Sequence, residues 1–166
     1  MTNNKTVAKV EVERLCIISQ KKIEEATKAL EGGIGLYLND YKKIQDATSF
    51  AEMEDWVHKA TGGNDFMLFM KLDHGAILRK ESGLSTPKII RYIIGNPLIM
   101  KEMAKHIPDA GAYAPVTILV DERMDGLHFS YDRMESFLSP YGNQKALAVA
   151  RDLDLKVENL LTKAAI

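Results

Sequence analysis

The chain carries a single cysteine, Cys16, among 166 residues. That excludes an intramolecular disulfide and any cysteine-rich metal site. Its four histidines, His58, His74, His106 and His128, never pair as HxxxH or HxH, so no zinc motif is present either. Neither sign of charge is in excess: 22 lysines and arginines face 23 aspartates and glutamates, for a formal net charge of -1. Nucleic-acid and anionic-membrane partners demand a basic face, so neither is expected. No apolar run approaches the ~20 residues that cross a bilayer, and the opening MTNNKTVAKVEVER has no apolar leader core. The expected address is the cytoplasm. No GxSxG nucleophile motif occurs. The cluster Gly32-Gly33-Ile34-Gly35 follows a helical pattern instead of opening one, so it reads as a helix end, not a phosphate loop. No cofactor and no metal are expected.

What is present is an ordinary globule, 46% hydrophobic and 27% charged. No repeat or low-complexity linker divides it, so residues 1–166 read as one domain. Its core spans 9–138 and a C-terminal helix spans 143–164. The organising stretch is 88–131. Residues 88–94 form a β-branched run, and Asn96-Pro97 supplies an N-cap and a first-turn proline. The helix that follows carries Ile99, Met100, Met103 and Ala104 on one side. After a loop at 109–115, strands at 116–120 and 127–131 flank the turn Asp125-Gly126. The pattern is a β-α-β-β unit.

Around it, residues 9–18 alternate as a strand with Val10, Val12, Cys16 and Ile18 on one face. Cys16 there is expected to be a small buried hydrophobe. Residues 1–6 are expected to fray. Ser19 is the expected cap of a helix over 20–31, ended by Gly32-Gly33 in the left-handed region. A short strand is placed weakly near 35–38. Ser49 and Glu52 form a capping box for a helix to Ala60, broken at residues 61–64. Residues 65–72 form a strand apolar on both faces, suited to a central position or to a subunit partner. Asp73 opens the next helix, which Gly83 ends. After Asp132 come one or two helical turns and the turn at 139–142. Asn143 then caps a last helix with Ala146, Ala150, Leu153, Val157, Leu160 and Ala164 in one stripe.

The residues Asp73, Gly95-Asn96-Pro97, Gly111, Pro115, 116–120 and Asp125-Gly126 together resemble the domain-of-unknown-function family 302. The resemblance covers residues 9–138. It implies an α+β fold like one copy of the TATA-binding-protein fold: a curved, mainly antiparallel sheet with helices packed on one side, often as a homodimer. It implies no reaction. Relatives commonly carry Cys before the Asn-Pro and Cys-Asn after the later proline, where this chain has Gly95 and Val116-Thr117. Thiol chemistry at those places is therefore excluded here. Residues 36–64 are longer than the pattern needs, which points to an inserted helix.

The start of the Pro97 helix is the best candidate seat for a small anion, although Gly95-Asn96-Pro97 reads first as a plain strand-to-helix junction. Folding the β-α-β-β unit around it suggests a ligand pocket lined by Lys71, Asp73, His74, Asn96, Tyr113 and Thr117. The favoured function is a non-catalytic homodimer binding a small ligand, an anion among the candidates, or a protein partner. The alternative is an enzyme in which Asp73 and His74 act as an acid–base pair on a small anionic substrate; against it, Asp73 also reads as a plain helix cap. The apolar strand at 66–70 and the long last helix carry more apolar surface than one small sheet hides. Sedimentation at micromolar concentration should accordingly return the mass of two chains, and a mass of one chain would refute the pairing.

Overall fold

The structure, a computed structural model, describes residues 4–37, 41–61, 65–85 and 87–166. Its described strands are β1 (Arg14–Ser19), β2 (Gly35–Tyr37), β3 (Met67–Asp73), β4 (Ile89–Gly95), β5 (Val116–Arg123) and β6 (Gly126–Asp132). They form one sheet in the order β1-β6-β5-β4-β3-β2. Every neighbouring pair is antiparallel except β2 with β3, which is parallel. The fold is α+β, and the β-α-β-β unit stands as read: β4, helix α5 (Pro97–Ala104), then β5 and β6 as a hairpin.

Strand alternation sorts the sheet into two unlike faces. Tyr92, Ile118, Tyr131 and Leu15 lie opposite one another across β4, β5, β6 and β1. They face the helices, and the first three are essentially inaccessible to solvent. Helices α1 (Ile23–Gly32), α5 and α8 (Gln144–Ala165) cover this side, with Ile23, Ala26, Leu30 and the α8 stripe in the main core. The next row, Arg91, Leu119, Ser130 and Cys16, falls on the opposite face. At the β3 end that opposite face is also covered. Met67 and Phe69 pack there with Val57 and Ala60 of α3 (Phe50–Thr61) and Ile44 of α2 (Tyr41–Gln45), while Phe66 and Leu68 join the main core. These two helices occupy the segment in which an insertion was expected. Gly35 permits the close approach, since a Cβ there would come within 2.0 Å of the Ala60 carbonyl oxygen.

Several expectations need correction. The first strand begins at Arg14, because β6 ends its pairing at Asp132 and residues 9–13 have no strand opposite them. Its inward residues are Leu15 and Ile17, so Cys16 is exposed instead of buried. Ser19 does not cap α1; its hydroxyl donates to the Ala165 carbonyl at 2.5 Å, tying the end of β1 to the end of α8. Gly33 closes α1 with φ of -91°, so its lack of a side chain, not a left-handed backbone, is what is used: a Cβ would meet Leu160 Cδ1 at 2.5 Å. In the Ser49 box the Glu52 amide donates to Ser49 Oγ as expected, but the Glu52 carboxylate accepts from Thr48. Strand β3 carries a bulge at Phe69 and is half exposed. The loop at 109–115 holds one helical turn, α6 (Ala110–Tyr113). Residues 1–3, Leu38 and residues 62–64 lie outside the described residues. No helix among the described residues is long and apolar enough to cross a membrane.

Within the apolar stripe of α8 sits one charged residue, Asp154, only 2% exposed. Its Oδ1 accepts from Tyr131 Oη at 2.6 Å and from the Met134 amide at 2.8 Å; its Oδ2 accepts from the Glu135 amide at 3.0 Å. The carboxylate thus caps helix α7 (Met134–Leu138) and joins it to β6 and α8. Burial pushes this carboxyl above the ordinary carboxylate range, and the phenol and two amides pull against that. Asp154→Ala would leave a buried hydroxyl and amide unpaired, at a cost of about 3 kcal/mol. Denaturant unfolding should show that loss, and a loss below about 1 kcal/mol would show the three bonds to be dispensable.

Candidate functional site

The open face of the sheet has no helix over most of its β1–β4 end, and the side chains there converge on a cavity of about 500 Å³. Alternation places Arg91 of β4, Thr117 and Leu119 of β5, Ser130 and Asp132 of β6 and Arg14 of β1 side by side in its floor. Walls come from Tyr113 of α6 and Phe137 of α7, whose rings stack at 4.8 Å, and from His74 at the start of α4 (Gly75–Ser82). Small-molecule sites commonly span about 300–1,000 Å³ with a few fixed polar groups among apolar walls.

The two arginines differ in what neutralises them. Arg14 binds Asp132 through both carboxylate oxygens, at 2.6 and 2.8 Å, and the pair cancels. Arg91 has no carboxylate partner among the described residues. Its Nη2 donates to Thr117 Oγ1 at 3.1 Å, and its Nε is buried with no hydrogen-bond partner. A buried donor left unpaired costs about 1–3 kcal/mol, more for a charged group, so a cation held this way favours an acceptor.

Of the six residues placed in the pocket from sequence, three line this cavity: His74, Tyr113 and Thr117. The others do not. Lys71 alternates onto the helix side, where it donates to Glu31 Oε1 of α1 at 2.6 Å beside the Tyr92 hydroxyl, which donates to the same oxygen at 2.7 Å. Burial raises the Glu31 carboxyl, but these two donors outweigh it and hold it below the usual range. Asp73 accepts from the Ala76 amide at 3.0 Å and from Arg79, whose guanidinium lowers its pKa. It is a helix-opening residue tied to a cation. Asn96 caps α5, accepting from the Leu98 amide at 2.8 Å, and lines a second cavity. Arg91 went unread in the sequence because it sits in the β-branched run of β4, where nothing but strand parity signals its direction.

The second cavity, of about 220 Å³, lies where α5 meets the ends of β3, β4 and β5. Phe69, Ile99, Met100, Met103 and Leu153 line it, together with Gly95. Pro115 and Val116 line both cavities. No group of three or more histidine, cysteine or acidic residues among the described residues could hold a metal ion.

A family model described as "Domain of unknown function DUF302" matches residues 41–164. The chain belongs to the DUF302 family. A structural relative is the uncharacterized conserved protein DUF302 from Bacillus stearothermophilus, known from a crystal structure. It superposes with a TM-score of 0.65 at 11% identity, over 91% of this chain and 97% of that one. At that identity the likeness concerns the fold. No curated protein matches. Within this DUF302 chain the Asn96 cap also shapes the second cavity. Asn96→Ala should cost about 1 kcal/mol in urea unfolding, and an unchanged midpoint would show the cap to be idle.

Proposed function

We propose that this DUF302 protein is a non-catalytic binding protein for a small carboxylate, held in the cavity on the open face of the sheet. One observation carries the reading: Arg91 lines the cavity with no carboxylate partner among the described residues, while the cavity's other arginine, Arg14, is already paired with Asp132. A carboxylate in the cavity supplies the guanidinium with the counter-charge it lacks, and Thr117 and His74 line the same cavity. The stacked Tyr113 and Phe137 supply an apolar wall for the ligand's body. A non-catalytic role is supported by Asp73, whose carboxylate is bound to Arg79 and held weakly basic. The open face also exposes Ile18 (52%) and Met70 (44%), which supports pairing with a second copy.

Thermal-shift titration with acetate, propanoate and benzoate tests the reading. At a hundredfold excess over its dissociation constant a ligand stabilises by about 2.7 kcal/mol, which raises the melting temperature of a domain this size by roughly 5–10 °C. Arg91→Gln should abolish the shift while retaining the fold. A wild type indifferent to every carboxylate, or an Arg91→Gln variant that responds as the wild type does, would overturn the assignment.

A further inference from the structure

The second cavity has a chemistry opposite to that of the first. Among the described residues its only polar lining side chain is Asn96, and that side-chain oxygen is already taken by the Leu98 amide. The remaining side chains are apolar, and two of them, Met100 and Met103, are unbranched and adaptable. An enclosed apolar cavity of about 150 Å³ is large enough to take up benzene. At about 220 Å³, this one is larger. Its rim also touches the charged cavity, since Pro115 and Val116 belong to the lining of each. Gly95 keeps that corner clear. A Cβ there would stand 3.2 Å from Pro115 Cβ and 3.4 Å from Phe69 Cε2.

A charged seat and an apolar chamber that share Pro115 and Val116 in their linings match the two ends of one amphiphile. We infer that the ligand is a medium-chain carboxylic acid whose carboxylate pairs with Arg91 and whose hydrocarbon arm passes Pro115 into the chamber beneath α5. This rests on the carboxylate-binding reading and adds the tail. The driving force for the tail is burial of methylenes among Phe69, Met100, Met103 and Leu153.

The experiment is a calorimetric titration of the full chain with the straight-chain acids from propanoate to octanoate. It is repeated for Met100→Trp and for Ala114→Leu, which fill the chamber from two different elements. Each added methylene should tighten binding about fourfold until the chamber is full. Both variants should flatten that series, and carbon-13 methyl signals of Met100 and Met103 should move with the longer acids only. Two results would overturn the tail: affinity that does not depend on chain length, or a chain-length gain that both variants retain. In either case propanoate still binds through Arg91 and the carboxylate reading stands. If no acid of any length binds, the carboxylate reading itself falls.

Discussion

Everything in this molecule depends on the sheet burying one face and leaving most of the other open. The row Tyr92, Ile118, Tyr131 and Leu15 can lie against α1 and α8 only if its neighbours Arg91, Leu119, Ser130 and Cys16 point away. A shift of one residue in β4 would exchange its two faces and drive Arg91 into the core. The apolar stripe of α8 therefore does more than stabilise. It determines which side chains remain available for a ligand.

The buried side holds its polar groups in closed arrangements. Asp154 takes one phenol and two amides, and Glu31 takes Lys71 and the Tyr92 hydroxyl. Both carboxylates join a helix to the sheet, so they fix how α1 and α8 lie on it. The open side contrasts at one point. Arg14 is matched by Asp132, and Arg91 is left with a threonine hydroxyl and an unsatisfied Nε. Where polar groups are otherwise paired, a cation with no carboxylate partner among the described residues stands out, and the proposed ligand site is built on it.

Much of the architecture was readable from local chemistry. Asn96-Pro97, Asn143 and Gly83 act within one turn of the backbone, and each ends or opens a helix as expected. The hairpin turn at Asp125-Gly126 has the same local cause, with Gly126 at φ of 140°. The misreadings have non-local causes. Cys16 shares its parity with Val10 and Val12, yet those valines have no partner strand and Leu15 and Ile17 decide the face. The pocket drawn from sequence took Lys71 with Thr117, though the two stand on opposite sides of one sheet.

By itself the sequence determined the helix ends at Gly83, Asn96-Pro97 and Asn143, the hairpin, the α+β class and the stripe that makes α8 a covering helix. These follow from capping, proline, glycine and periodicity, which act over a few residues. Tertiary structure alone decided which parity of each strand faces inward, that Asp154 would be buried and satisfied, and that Arg91 would have no carboxylate partner among the described residues. Each of those outcomes depends on partners 20 or more residues away, and no local pattern encodes the meeting of such groups.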